Sequence, residues 1–158
     1  MLGLFKKKEK KLNAFARGTL VPLENVNDPV FSEKMMGDGF AIQLTDNAIY
    51  APIDATISMI AETKHAIGFT DKDGIEFIIH VGLETVNLKG QGFHPLVKVG
   101  DQVTQGTKLL EVDTKFMKTQ GIDLITPCVI TNYQIHPFTF VNTTNTVEPK
   151  DCILTFSK

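Results

Sequence analysis

Short apolar runs separated by turn residues dominate the chain from residue 18 onward. Thr, Ile and Val are frequent in these runs, and Gly or Pro interrupts them at short intervals. Such a pattern is typical of β-strands joined by turns. It predicts an all-β fold, an antiparallel β-sandwich or barrel, with strands at residues 18–22, 40–45, 48–51, 55–60, 66–70, 75–81, 109–112, 129–131 and 152–156.

Helical signals are confined to short turns. Asp113 and Thr114 offer an N-cap for a turn or two of helix that ends at Thr119, and residues 31–36 predict one further turn. A strand–loop–strand pattern in residues 18–42 returns in weaker form in residues 55–69. Two copies of a β-unit too small to bury its own apolar face would pack on each other, which predicts a closed, duplicated sandwich.

Length and composition fit one water-soluble domain. A chain of 158 residues that is 42% hydrophobic and 22% charged can bury a core of its own. The sequence contains neither a transmembrane-length apolar run nor a secretory signal at residues 1–11, so we expect a cytoplasmic protein. Cys128 and Cys152 lie at no disulfide-framework or zinc spacing, and we interpret both as buried thiols.

The charge divides the chain into a basic leader, residues 1–17, and an acidic domain, residues 18–158. The leader holds six basic residues and one acidic residue, a charge of +5, which leaves −7 for the rest of a chain whose net charge is −2. An acidic domain without Trp disfavours nucleic acid as a partner. The leader is interpreted either as a disordered, solvated segment or as an amphipathic helix that contacts anionic lipid through its apolar residues Leu2, Phe5, Leu12 and Phe15.

The candidate chemistry lies in residues 65–82, which read as a β-hairpin closed by the turn at residues 71–74. A two-residue loop at 72–73 would pair His65 directly with His80, and one at 73–74 would place them diagonally on one face. A three-residue loop without a compensating bulge would put them on opposite faces. Alternation directs Phe77 and Ile79 into the core and His80 outward.

Two neighbouring imidazoles suit a histidine nucleophile better than the other chemistries. They fall short of the ligands that zinc takes, and no Ser or Cys nucleophile with a base is recognisable, so we expect neither a metal nor a cofactor. A neutral imidazole whose Nδ1–H is held by a carbonyl, here that of Gly82, presents the Nε2 lone pair for phosphoryl transfer. His94 and His136 stand alone beside prolines and are interpreted as surface residues.

Five segments together resemble the glucose-type enzyme IIA proteins of the bacterial phosphoenolpyruvate-dependent sugar phosphotransferase system. They are PVFSEKMMGDGFAI (29–42), YAPIDATI (50–57), ETKHAIG (62–68), IIHVGLETVNLKGQGF (78–93) and VKVGDQVTQGTKLLEVD (97–113). The resemblance implies that His80 accepts a phosphoryl group on Nε2 and that Gly82 fixes its Nδ1. It also implies that His65 contacts the phosphoryl group and that Thr63 orients His65.

The resemblance further implies a duplicated antiparallel β-sandwich and a phosphocarrier, that is, a phosphotransferase with a phosphohistidine intermediate. The donor would be the small phosphocarrier HPr, the acceptor a cysteine of the IIB domain of a glucose-type sugar permease, and regulatory partners would share the same surface. The basic start at Met1 favours a free subunit over a fused one. The docking patch would comprise apolar and acidic residues, namely Val30, Phe31, Met35, Met36, Ile78 and Val86 with Asp28, Glu33, Asp38 and Glu84 at its rim.

The alternative is a non-catalytic regulatory or carrier-type binding module on the same sandwich. Residues 97–113 resemble the turn-rich half of biotinyl and lipoyl carrier domains, which present a modified lysine at a hairpin tip. Here Met117 and Lys118 fall near a predicted helix instead. Gain of one phosphoryl group under donor conditions distinguishes the phosphocarrier from both forms of this alternative.

Overall fold

The computed structural model describes residues 9–142 and 145–157, which form mostly short β-strands. Two short helices, α1 (Pro29–Ser32) and α2 (Thr114–Thr119), and two 3-10 turns, Leu23–Asn25 and Thr85–Leu88, lie between strands. The strands are β1 (Lys10–Asn13), β2 (Gly18–Pro22), β3 (Asp38–Leu44), β4 (Ala48–Tyr50), β5 (Ala55–Ile60), β6 (Ala66–Thr70), β7 (Glu76–His80), β8 (Phe93–Pro95), β9 (Gln102–Val103), β10 (Lys108–Val112), β11 (Ile125–Ile130), β12 (Phe138–Phe140), β13 (Thr146–Val147) and β14 (Cys152–Phe156).

One large sheet and two small ones make up the sandwich. The eight-stranded sheet has the order β13-β2-β3-β11-β7-β6-β5-β9, and the three-stranded sheets have the orders β1-β14-β12 and β4-β10-β8. The strand pairs are antiparallel. The order of the large sheet is symmetrical about its centre. Strands β2, β3 and β11 on one side correspond to β5, β6 and β7 on the other. The predicted repeat, residues 18–42 and 55–69, occupies those equivalent places.

Alternating side chains give the large sheet two different faces. Its inner face contributes Phe40, Phe77, Ile79 and Cys128 to the main core, together with apolar residues of both small sheets. Its outer face contributes Val21, Ala41, Ile78 and Val129 to a second, smaller cluster. The period of two in a strand produces this division, and it predicts that His80, one residue after Ile79, lies on the outer face.

The prediction of a separate leader as far as residue 17 is wrong for the described residues. Strand β1 pairs with β14, and Leu12 and Phe15 are fully buried in the main core. Their neighbours Lys11 and Arg17 are exposed, which is why the segment reads as solvated. Because Leu12 and Phe15 are buried, they are not the apolar face of a lipid-binding helix. Leu2 and Phe5 lie outside the described residues.

Most other predictions of secondary structure are confirmed, with shifted ends. The nine predicted strands match β2, β3, β4, β5, β6, β7, β10, β11 and β14, while the short strands β1, β8, β9, β12 and β13 were not predicted. Helix α2 has Asp113 as its N-cap, but α1 begins and ends earlier than predicted. Cys128 is buried as expected, whereas Cys152 is only half-buried. Within the described ranges, the helices are all too short or too polar to cross a membrane.

Candidate functional site

His80 closes β7 on the outer face of the large sheet. The burial pattern of β7 alternates as predicted, with Phe77 and Ile79 buried and with Ile78 and His80 half-buried. The ring Nδ1 of His80 lies 2.9 Å from the carbonyl oxygen of Gly82. A carbonyl oxygen only accepts, so Nδ1 carries the hydrogen and the neutral ring keeps its lone pair on Nε2. The sequence prediction for this contact is confirmed.

The hairpin register differs from both predicted registers. Ala66 pairs with His80 and Phe69 with Phe77, so the loop contains three residues, 72–74, and not two. Gly74 adopts a φ of 87°, a left-handed conformation that closes such a loop. In an ideal ladder this parity would send the side chains of residues 65 and 80 to opposite faces.

The two imidazoles nevertheless meet, because His65 lies outside the ladder. It precedes β6 and follows Lys64, whose φ of 63° turns the chain before the strand begins. The alternation of β6 therefore does not govern its side chain. The ring centroids of His65 and His80 are 4.7 Å apart, with an interplanar angle of 76°. The predicted proximity is confirmed, although the reasoning from register is wrong.

Thr63 and the main chain hold His65 in place. The Thr63 hydroxyl lies 2.6 Å from Nδ1 of His65, as the resemblance implied. The His65 carbonyl accepts a hydrogen bond of 2.7 Å from the main-chain N–H of Val81, the residue after His80. Both histidines are thus anchored at their Nδ1 side, and the His65 backbone is bonded to the residue that follows His80.

Burial keeps both imidazoles neutral. It lowers the pKa of His65, and the neighbouring His80 lowers it further, against the opposing effect of the contact with Thr63. Burial also lowers the pKa of His80, while the bond to Gly82 and the carboxylate of Asp28 act in the opposite direction. A neutral ring is the nucleophilic form of histidine, so the site favours that form at neutral pH.

An apolar platform borders His80. It is the small cluster on the outer face, built by the connection between β2 and β3, with Leu23, Val26 and Phe31 as its buried members from that connection. Asp28 caps α1 by accepting from the main-chain N–H of Val30 at 3.0 Å. The cap sets the direction of α1 and places the Phe31 ring edge-on to His80, with centroids 5.1 Å apart.

The predicted docking patch divides into a buried and an exposed part. Val30, Met35 and Val86 are 37%, 69% and 51% exposed, respectively. Met36 and Ile78 are half-buried against the platform. Phe31, at 3% exposure, lies beneath the surface, so its predicted place on the patch is wrong. It supports His80 and is not available to a partner.

The predicted acidic rim is also uneven. The Asp28 carboxylate is engaged as the cap of α1, and Asp38 forms an ion pair of 3.5 Å with Lys34. Glu33 and Glu84 are exposed, and Glu84 adopts a left-handed φ of 59° just before the 3-10 turn that carries Val86. Of the four predicted rim carboxylates, those of Glu33 and Glu84 are therefore the more exposed.

Sequence reasoning missed two buried threonines beside Gly82. The hydroxyl of Thr85 donates to the Val81 carbonyl at 2.6 Å, and the main-chain N–H of Gly82 donates to the hydroxyl of Thr126 at 3.4 Å. Both residues are fully buried. Thr126 comes from β11, far away in sequence, and no local pattern indicates it. Thr85 follows Gly82 closely, but a sequence alone does not distinguish such a threonine from a surface one.

The remaining candidates lie away from the pair. His94 is exposed on β8, His136 lies beside Gly74 at the hairpin tip, and Lys118 is within α2 and not at a hairpin tip. Of the residues that the structure describes, no three His, Cys, Asp or Glu side chains form a group able to hold a metal ion. The reactive side chains that the structure brings together are the two imidazoles.

The chain is similar to proteins of one phosphotransferase family. A family described as phosphoenolpyruvate-dependent sugar phosphotransferase system, EIIA 1, matches residues 10–135. The PTS system glucose-specific EIIA component of Halalkalibacterium halodurans is 46% identical over 124 residues, which cover 78% of this chain and 72% of that protein. The PTS system beta-glucoside-specific EIIBCA component of Bacillus subtilis is 40% identical over 141 residues, 89% of this chain but 23% of that longer protein.

A solved structure has the same fold. Glucose permease IIA from Mycoplasma capricolum superimposes with a TM-score of 0.85 and 34% sequence identity, and the match covers 94% of this chain and 96% of that one. The all-β sandwich predicted from the sequence is thereby confirmed. On the family match and these relatives, the chain belongs to the EIIA 1 family of the phosphoenolpyruvate-dependent sugar phosphotransferase system.

Proposed function

We propose that the protein is a phosphocarrier that accepts a phosphoryl group from phospho-HPr on Nε2 of His80 and passes it to the IIB domain of a glucose-type sugar permease. The observation that carries the proposal is the hydrogen bond of 2.9 Å between Nδ1 of His80 and the Gly82 carbonyl. It leaves Nε2 as the unprotonated nitrogen of a neutral ring, which is the nucleophile that the transfer needs.

In the accepting step the Nε2 lone pair attacks phosphorus, and the bond between phosphorus and the donor nitrogen breaks. The phosphoryl group moves in line between two nitrogens, so catalysis consists of alignment, exclusion of water and stabilisation of charge on its oxygens. The apolar platform and the exposed Val30, Met35 and Val86 would exclude water when a partner docks.

His65 would bind the phosphoryl oxygens. If the Thr63 hydroxyl donates to Nδ1 of His65, the ring proton lies on Nε2, where it donates to an oxygen of the transferred group. In the second step the group leaves Nε2 of His80 for the cysteine of IIB, and His80 returns to its neutral form. The transfer uses no metal and no cofactor.

Fusion in relatives supports a IIB partner. The Bacillus subtilis protein carries the matched region within a longer chain that is named an EIIBCA component. For this protein we infer that the same phosphoryl exchange takes place with a IIB domain. Flexible methionines such as Met35 and Met36 suit a surface that receives HPr, IIB and regulatory partners in turn.

The test is phosphorylation of His80→Ala in the presence of phosphoenolpyruvate, the general phosphotransferase and HPr. We expect the parent to gain the mass of one phosphoryl group and His80→Ala to gain none. His94→Ala is the matched control, because His94 is exposed on β8 and away from the pair. A fully labelled His80→Ala protein would contradict the proposal, and a parent that gains no mass would favour the regulatory or carrier-type module.

A further inference from the structure

The peptide unit between Val81 and Gly82 is held at both of its polar atoms. Its carbonyl oxygen accepts from the Thr85 hydroxyl at 2.6 Å, and its N–H donates to the Thr126 hydroxyl at 3.4 Å. We propose that Thr85, assisted by Thr126, is a positioning residue that fixes the Gly82 carbonyl and thereby the tautomer of His80. The inference rests on the proposed function of His80, because it concerns the nitrogen that would be phosphorylated.

Gly82 needs such support because its own backbone is permissive. Its φ is 74°, in the left-handed region where glycine is free to adopt alternative orientations. The following peptide carries the Gly82 carbonyl, and its N–H, that of Leu83, donates to the Asp123 carbonyl at 3.1 Å. If the turn rotated, the Gly82 carbonyl would leave Nδ1 of His80, and the ring proton would be free to occupy Nε2.

The Thr85 side chain also approaches the Gly82 backbone closely. A Cβ built on Gly82 would lie 2.7 Å from Cγ2 of Thr85 and 3.1 Å from the Asp123 carbonyl oxygen. The Thr85 methyl group thus packs directly against the Gly82 backbone. Thr85 is fully buried, so it contacts neither a partner nor a phosphoryl group and acts only through the turn.

The same turn connects the two histidines. Val81 donates its N–H to the His65 carbonyl at 2.7 Å, while its own carbonyl accepts from Thr85. A loosened Val81–Gly82 peptide would therefore disturb both the tautomer of His80 and its spacing from His65. This arrangement makes Thr85 the residue whose hydroxyl influences the whole pair without touching either ring.

The experiment compares Thr85→Val with Thr85→Ser. Nitrogen-15 NMR of the His80 ring, recorded without any phosphoryl donor, reports which nitrogen carries the proton. In Thr85→Val we expect a smaller fraction of the Nδ1–H tautomer and a phosphoryl-acceptance rate lower by about tenfold or more, as for other lost orienting partners of reactive groups. Thr85→Ser restores the donor and should recover most of the lost rate.

Thr131→Val is the matched control. Its hydroxyl also donates to a carbonyl of β7, that of Glu76, but at 3.3 Å and at the opposite end of the strand. This variant should keep the parent tautomer and the parent rate. An unchanged tautomer in a folded Thr85→Val protein overturns the inference, whatever happens to the rate.

A second variant tests the inference if Thr85→Val does not fold. Thr126→Val lies in a β-strand, where valine is well accommodated, and removes the acceptor for Gly82 N–H. It should shift the tautomer in the same direction by a smaller amount, and a parent-like tautomer would then decide against the inference. The NMR measurement needs no donor, so its outcome is separate from any failure of the parent to accept phosphate.

Discussion

The two strand–loop–strand units of the large sheet use the same scaffold for different purposes. In the first unit, β2 and β3 are joined by residues 23–37, which fold into α1 and the apolar platform around Phe31. In the second, β5 and β6 are joined by residues 61–65, which carry Thr63 and His65. Equivalent strands therefore deliver an apolar support from one side and polar chemistry from the other.

The comparison teaches that the strands set position and the connections set chemistry. His80 lies on β7, next to the centre of symmetry of the sheet, where side chains from both connections contact it. Phe31 from the first connection and His65 from the second have ring centroids 5.1 Å and 4.7 Å from His80, respectively. Substitutions in the first connection should mainly affect the stability of the protein. Substitutions in the second connection should mainly affect phosphoryl transfer.

The largest expected effect on stability comes from the first connection. Phe31→Ala removes a buried ring from the platform and should lower the free energy of unfolding by about 3–5 kcal/mol. Met35→Ala, at a residue that is 69% exposed, should change it by less than about 0.5 kcal/mol. Urea unfolding of both variants measures the contrast, and equal losses would show that the platform is not a packed support.

The second connection should affect transfer far more than stability. His65→Ala removes the donor proposed to contact the phosphoryl oxygens, and we expect transfer from phosphorylated protein to a IIB domain to slow about 100-fold, or about 2.7 kcal/mol. Acceptance from HPr should persist. Single-turnover measurements separate acceptance from transfer to IIB. A parent-like rate of transfer to IIB in His65→Ala would show that His65 is not the residue that stabilises the phosphoryl group.

The turns that follow the two units are held by basic residues with different burial. Lys10 binds the carboxylates of Asp71 and Asp73 after β6, and the Asp71 side chain is 1% exposed. Lys10→Met would leave that buried carboxylate without its cation, and we expect a loss of about 2 kcal/mol in the free energy of unfolding. Arg17→Met breaks a solvent-exposed ion pair with Asp46 and should lower the free energy of unfolding by a smaller amount.

The smallest effect is expected from pH. Because burial lowers the pKa of both His65 and His80, the unfolded chain binds protons at a pH where the folded chain does not. Stability should therefore be full above about pH 6.5 and should fall as the pH drops below it. Unfolding between about pH 7.5 and about pH 5.5 should show this slope, and it should flatten when both histidines are replaced by Gln.

Local patterns predicted the scaffold of the site well. The alternation of Phe77, Ile78, Ile79 and His80 identified the inner and outer faces of β7, because the period of a strand is fixed by its backbone. The spacing of His80 and Gly82 predicted the bond that sets the tautomer, since both groups belong to one short turn. Neither inference requires knowledge of distant residues.

Register and long-range pairing were harder to predict. A change of one residue in the length of a hairpin loop reverses the parity of every pair. Here the left-handed conformation of Gly74 accompanies a loop of three residues and not two. Residues 10–13 read as a solvated segment because the strand with which they pair, β14, lies at the other end of the chain.

The sequence by itself determined the all-β class, the outward histidine at the end of β7 and the family, because these depend on strand periodicity and on short contiguous segments. Only the tertiary structure decided that His65 reaches His80 from outside the ladder and that Phe31 supports the site from beneath. It alone also brought Thr126 to the Gly82 turn. Each of these depends on where separate segments come to lie once the main core is packed, and no local pattern encodes that position.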